Sequence, residues 1–423
     1  MNAFLSKLKF IFQDSTLRRR VLFVVFALVA FRILAALPIP GVDTARLESF
    51  LASNDFLGLL NIFSGGGLAN LSIVMLGVTP YITASIIMQL VTLMSPRLKA
   101  LYQEEGTAGR RKFNQYARLL TAPLSIIQAF GFLAFLRAQG VLGEMAFFDQ
   151  IANVLVITAG SLLLMWIGEL ISEFGIGNGV SIIIFAGIVA VLPANLAQLI
   201  FTFDVSQLPI YLAASAAVLI IIYSVVYITE AERPIPITYA KRVRGMKVYG
   251  GISTYLPLRL NQAGVIPIIF ALSILLFPQM ILNFLGSIDN DLVQKISSLL
   301  LAFVENGWIY SVVYFVLVFV FTYFYTAVTF DPDSTATQLQ KNGAFIPGIR
   351  PGGTTSEYIA KILTRLTLVG GLFLSFIAVL PLAMMALTNI AAFAVGGTSL
   401  LIVVSVVIDL IKKIDAQLSV REY

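Results

Sequence analysis

Residue types that do chemistry are scarce in this chain. Its 423 residues include no His and no Cys. That removes His metal sites, Ser-His triads and imidazole proton relays, and it leaves the redox compartment undetermined. No pair of carboxylates falls inside an apolar stretch, so an enzyme working within a membrane is a poor reading. Gly175-Ile176-Gly177-Asn178-Gly179 has the spacing of a phosphate cradle, but no strand precedes it, and a tight helical hairpin accounts for it better. No Walker motif appears, so no nucleotide or other cofactor is expected. Two sets of residues remain. The first is aliphatic: Val78, Ile82 and Ile269 sit beside helix-starting prolines. Such side chains offer a passing molecule neither charge nor hydrogen bonds, and a dry constriction of them gates by dewetting. Packing or facing lipid is the commoner fate of any one such residue. The second set is basic: Lys241, Arg242, Arg244, Lys247 and Arg350 lie in long polar segments. They suit docking to a large acidic partner, RNA phosphates included. Orientation bias explains the sign of that charge, but not the length of the segments or the Pro/Gly frame around Arg350.

The elements that must position these residues are apolar. The chain is 58% hydrophobic and 12% charged, against about half and a quarter in a soluble domain, so the sequence predicts an all-α polytopic membrane protein. Residues 1–20 read as a cytoplasmic amphipathic helix on the membrane surface. They run straight into a span, with no cleavable signal evident. Ten spans are predicted, near 21–37, 76–93, 119–136, 151–171, 180–200, 210–228, 263–285, 308–328, 366–387 and 399–411. Residues 21–200 form an N-terminal half and 210–411 a C-terminal half. Cytoplasmic loops occupy 230–262 and 331–365, and 412–423 is a cytoplasmic tail. Alternating sides from a cytoplasmic N-terminus puts all of the 28 lysines and arginines on the inside except Arg32, Arg46, Arg137 and Lys295, as the positive-inside rule requires. Arg32 lies in the first span, where snorkelling is the better account, with Asp43 a candidate partner. The polar stretch 95–116 reads as a loop, Glu169 as interfacial, and Gly245 as the turn of a protruding β-hairpin.

The stretch Phe56 to Leu93 organises the rest. Its second half is a span, but Asn61, Ser64, Gly65, Gly66, Gly67, Asn70 and Ser72 interrupt its first half. Loosened backbone at membrane depth is tolerated only where protein buries it or water bathes it. This predicts a closable cavity holding a short, poorly anchored helix; a bent surface helix is the plainer alternative. Gly77-Val78-Thr79-Pro80-Tyr81-Ile82 at the second span is echoed by Gly264-Val265-Ile266-Pro267-Ile268-Ile269 at the seventh. In a ten-span protein an offset of five spans relates oppositely oriented helices, which marks an inverted repeat with its working parts between the halves. A secondary transporter of small solutes and a pore both fit. Transporters bury coupling-ion ligands or charge near the midplane, whereas these span interiors are nearly free of ionisable groups, and the lobes are larger than a solute carrier needs.

The motifs Pro38-Ile39-Pro40-Gly41, Phe63-Ser64-Gly65-Gly66, Gly77 to Gln89, Gly175 to Phe185, Ala263 to Ile266, Gly343 to Gly352 and Gly396 to Val403 follow one another in order. Over nearly its whole length the chain resembles the SecY family, the central subunits of bacterial protein-conducting channels. The resemblance implies an hourglass pore between the two inverted five-helix halves and no enzymatic activity. Val78, Ile82, Ile184, Ile269 and Ile402 would form its ring, with Val78 departing from the Ile common in the family. The segment near 56–73, including Phe63, Ser64, Gly65, Gly66, Gly67 and Leu68, would be a plug. Spans two and three against seven and eight would form a lateral gate with Thr83, Gln89, Gln128 and Asn261 as its polar members. Lys241, Arg242, Arg244, Lys247 and Arg350 would dock a SecA motor or a ribosome; Met246 stands where a basic residue is common. SecE and SecG are the implied partner subunits. Signal peptides and nascent chains are the implied substrates, the bilayer is the sink for apolar segments, and the cell membrane is the location.

Overall fold

The computed structural model describes residues 14–39, 67–68, 70–103, 105–138, 142–143, 146–201, 208–240, 242–244, 247–249, 251, 253–286, 291–304, 306–388 and 392–419. A helix coincides with most of each of the ten predicted spans, though the second and seventh begin three residues late. In chain order these are α1 (Ser15–Ala36), α2 (Thr79–Met94), α4 (Gly106–Ala138), α5 (Phe147–Phe174), α6 (Gly179–Phe201), α7 (Leu208–Glu230), α8 (Ile266–Gly286), α10 (Gly307–Thr329), α12 (Gly353–Thr388) and α13 (Ala392–Ser419). Among the described residues, Gly106–Arg137, Phe147–Phe174, Tyr211–Glu230, Gly307–Lys341 and Gly353–Met384 are long and apolar enough to cross a membrane on length and composition alone.

The polar stretches hold more structure than the sequence predicts. Residues 95–116 are mostly helical: α3 (Pro96–Gln103) folds back, and α4 begins at Gly106. The reason is amphipathic packing. Phe113 and Ala117 bury one face of α4 against Met88, while Arg110, Arg111 and Lys112 stay in solvent. Arg110 lies over the Tyr102 ring, 5.9 Å from its centroid. A further helix, α9 (Asp291–Val304), stands between α8 and α10, and α11 (Pro332–Lys341) lies in the second lobe. Asp331 caps α11 by accepting from the Asp333 amide at 3.0 Å. The tail is helical to Ser419.

The two cytoplasmic loops of the sequence reading form one body. Strand β1 (Glu232–Tyr239) pairs antiparallel with β4 (Ser253–Arg259), in register from Glu232–Arg259 to Thr238–Ser253. It also pairs with β5 (Ala344–Phe345) of the second loop. Between β1 and β4, strands β2 (Arg242–Arg244) and β3 (Lys247–Tyr249) make the predicted hairpin, with Arg244 opposite Lys247 across the turn. Ile235, Leu258, Ile346 and Ile359 form the core beneath the three-stranded sheet.

In the apolar body the halves meet along two seams: α8 packs on α2 and α4, and α13 packs on α6. Water is not squeezed out between helices in lipid, so close van der Waals fit and small residues hold such contacts. The α5–α6 hairpin shows this. A Cβ on Gly179 would stand 1.8 Å from the Gly168 carbonyl oxygen, so the helices touch backbone to backbone. Asn178 caps α6 by accepting from the Val180 and Ser181 amides at 3.1 and 3.3 Å, as a hairpin requires and a phosphate cradle does not.

Candidate functional site

The echo found in the sequence is also an echo in backbone geometry. Gly77 has φ 57° and Gly264 has φ 63°, the left-handed region, and each is followed two residues later by the first residue of a helix, with Pro80 or Pro267 in its first turn. Proline costs little there because its missing amide has no intrahelical partner. Five residues on from each glycine come Ile82 and Ile269. Both point inward, 7% and 6% exposed. Val78, Ile184 and Ile402, each 1% exposed, join them in one apolar cluster. Four helices and the turn before α2 thus contribute five buried aliphatic residues, drawn from both halves, to this cluster.

Against this cluster lies a cavity of about 480 Å³. Ile82, Ile184 and Ile269 line it. The rest of its wall is divided by chemistry. From α2, α4, α5 and α6 or their caps come Gln89, Asn114, Arg118, Glu169 and Asn178; from α8 and α10 come Ile266, Phe270 and Tyr325. Arg118 and Glu169 form an ion pair across α4 and α5, their side chains 46% and 19% exposed. Glu169 therefore faces this cavity with a partner, a contact between separate helices that a span-by-span reading had no means to register. A pair so exposed adds little stability; its effect is to make one wall of the cavity polar. Phe270 meets Phe321 and Tyr325 edge to face at 6.1 and 6.0 Å, fastening α8 to α10.

The family model for SecY matches residues 72–411. The chain belongs to the SecY family. The protein translocase subunit SecY of Corynebacterium glutamicum is 41% identical over 97% of this chain and 97% of its own length. That of Vibrio cholerae is 43% identical over 97% and 93%. Among solved structures, a protein-conducting channel superposes with TM-score 0.64 at 19% identity over 96% of this chain and 93% of its own. Sec61 in a canine ribosome-channel complex does so with TM-score 0.62 at 19% identity, over 96% and 93%. The fold is therefore that of the SecY and Sec61 channels, a multi-pass membrane protein in two inverted halves.

Of the plug residues expected in a SecY-family chain, Phe63, Ser64, Gly65 and Gly66 lie outside the described residues, while Gly67 and Leu68 are buried. The described residues between Gly67 and Ile73 form anchored turns, not a loosely held helix. The Ile39 amide donates to the Leu71 carbonyl and the Ile73 amide to the Leu37 carbonyl, both at 2.9 Å. The Asn70 side-chain amide donates to the Ala35 carbonyl at 3.4 Å. Leu68 and Leu71 sink into a cluster with Phe132, Leu133 and Ile157. An exposed turn of polar and small residues looks loose in sequence; bridging to the end of α1 ties it down.

The four expected gate residues lie on α2, on α4 and just before α8, the elements of one seam, and no hydrogen bond joins them to one another among the described residues. Thr83 and Gln89 are on α2, where they bond to the Thr79 carbonyl at 3.0 Å and the Ser85 hydroxyl at 3.3 Å. Gln128 is buried on α4. Asn261 precedes α8 and donates to the Gly264 carbonyl at 3.2 Å, leaving its own carbonyl oxygen without a partner among the described residues. None of the four hydrogen-bonds across the seam among the described residues. Of the docking residues, Lys241 lies outside the described residues, and Arg242, Arg244 and Lys247 are on the β2–β3 hairpin. Arg350 is exposed on a loop whose turns use Gly348 at φ 83° and Gly352 at φ 104°. Thr355 braces that loop by donating to the Arg350 carbonyl at 2.8 Å.

Proposed function

We propose that this chain is the pore-forming subunit of a protein translocase, passing unfolded secretory polypeptides across the cell membrane and releasing apolar segments sideways into lipid. One observation supports the reading: Ile82, Ile184 and Ile269, drawn from both halves, line a cavity with a polar wall, and Val78 and Ile402 belong to the same buried apolar cluster. Val78, Ile82, Ile184, Ile269 and Ile402 act as the ring. They close to exclude water and hold no sequence specifically, which a conduit for many different polypeptides requires. Residues 21–200 and 210–411 act as the two halves, the segment near 56–73 as the plug, and α2 and α4 against α8 and α10 as the lateral gate, with Thr83, Gln89, Gln128 and Asn261 setting how apolar a segment must be to part it. A signal peptide or nascent transmembrane segment of about 20 apolar residues is long enough to leave through such a gate and span the bilayer.

Force comes from outside the chain, since it carries no nucleotide-binding motif. A SecA motor or a ribosome docks on the β2–β3 hairpin, through Lys241, Arg242, Arg244 and Lys247, and on the Arg350 loop. SecE holds the halves together and SecG lies at the periphery. Both termini and the β-lobe are cytoplasmic, as the positive charge demands.

The absence of Cys makes the test clean. A Cys at Ile82 is paired with a scanned Cys in a stalled secretory precursor, in membranes with the partner subunits and motor present. A disulfide that forms only during ATP-driven import is the expected result. Normal import with no disulfide at any precursor position would overturn the reading of Ile82.

A further inference from the structure

The α5 face that meets the 67–76 segment carries Asn153, Ile157, Gly160, Ser161 and Leu164, spaced three and four apart on one buried side. Leu164 belongs to the ring cluster, and Ile157 to the separate cluster around Leu71. Gly160 sits between them. A Cβ on Gly160 would fall 2.0 Å from the Ile73 carbonyl oxygen, 2.8 Å from its carbonyl carbon and 3.3 Å from Val74 Cγ1. The first two are backbone atoms, which cannot swing aside as a side-chain tip can. Ile73 packs against both clusters.

Packing of Leu71 and Met75 with Ile157 adds to this contact on the α5 side. The hydroxyls of Ser72, Thr158 and Ser161 are buried and have no hydrogen-bond partner among the described residues. On the opposite side the segment is bonded to the end of α1 through Leu37, Ile39 and Ala35. Between these supports Leu71 is held at φ 39°, a conformation a branched side chain adopts only when its surroundings enforce it. A tight run of turns then leads from Val74, itself 0% exposed, to Val78 in the ring. A displacement of Ile73 is therefore passed to Val78 in little more than one helical turn.

We propose that Gly160 is a positioning residue for the seal: by admitting the Ile73 backbone against α5, it sets where Val78 sits in the ring, so that any side chain at 160 loosens the closed state. This rests on the channel reading above.

The experiment uses the chain assembled with its partner subunits in liposomes. It reads three quantities: halide leak without precursor, import of a precursor with a defective signal sequence, and the temperature at which the complex is inactivated. Overpacking a close contact shifts a two-state equilibrium by roughly 5- to 100-fold. Gly160→Ala is expected to raise halide leak about tenfold and to admit the defective precursor, with Gly160→Leu stronger in both. Gly131→Ala on α4, where a Cβ meets nothing within 4 Å, is expected to match the parent. A lowered inactivation temperature with no added leak would assign Gly160 a merely structural role and overturn the proposal. Where neither Gly160 variant assembles, Asn70→Ala decides: it loosens the same turn from the α1 side at an exposed position, and a parental leak there overturns the proposal equally. Failure of the parent complex to import any precursor would instead sink the channel reading, so the two failures are told apart.

Discussion

At Gly264 the requirement for glycine is conformational alone. Its φ is 63°, and a Cβ there would meet nothing within 4 Å. The cost of Gly264→Ala is therefore that of holding an L-residue in the left-handed region, about 1–2 kcal/mol. Gly264→Asn should recover part of that cost, because Asn tolerates this region better. Thermal inactivation of the detergent-solubilised complex should rank parent above Asn above Ala; equal loss for both variants would mean that space rather than φ is decisive. This is the opposite situation to Gly160, where a clash and not φ forbids a side chain. Glycine is thus required in two ways, for its φ at Gly264 before α8 and for the close approach of the Ile73 backbone at Gly160 on α5. Only the first was legible in the sequence, because Gly264 and Gly77 stand in a repeated motif. Gly160 sits in an ordinary Ala-Gly-Ser run of a span, and its role depends on an atom 87 positions earlier in the chain.

At the scale of elements, the apolar helices were readable one by one. Each is a run of about the bilayer's width, bounded by Pro/Gly turns or charge. Contacts between separate stretches were not readable. The pairing of β1 with β5 joins two loops that three helices separate, and α3 and the start of α4 hide their apolar faces among lysines and arginines. The Arg118–Glu169 pair needed two spans to be placed side by side. The joined lobe has a mechanical consequence. Arg350 rides on a loop held by β5 at one end and by the Ser356–Asp333 hydrogen bond and Thr355 at the other, and Ile346 anchors it in the core under the sheet. A push on Arg350 is therefore delivered to a rigid body at the head of α12, not absorbed by a loop. Arg350→Glu should lower motor-driven import at least about tenfold, equivalent to roughly 1.4 kcal/mol of coupling, while assembly and thermal inactivation stay parental. Because the side chain is exposed and its backbone does the bracing, import at the parental rate would place the contact elsewhere on the lobe.

Across the whole molecule, the two seams between the halves are not equivalent. Along one, α13 packs on both α6 and α7, the two helices between which the chain crosses from one half to the other. Along the other, α2 and α4 lie against α8 with no covalent crossover, and the described gate residues make no hydrogen bonds across it. Lipid gives no hydrophobic force to hold helices together, so the second seam is held by van der Waals packing and by the state of the waist. If the halves swing about the α6–α13 side, the α2–α8 side must part, with α10 carried along by the Phe270 aromatic contacts. Paired cysteines bridged by a short bifunctional thiol reagent separate the two, and the cysteine-free parent supplies a zero background. A bridge across α2 and α8 should abolish both import and the lateral release of a transmembrane segment. A bridge across α6 and α13 should leave both within about twofold of the parent, as expected for a joint that turns without opening. Full import through a molecule clamped at α2–α8 would mean that the polypeptide passes without the halves separating there, and the hinge would have to be sought on the other side.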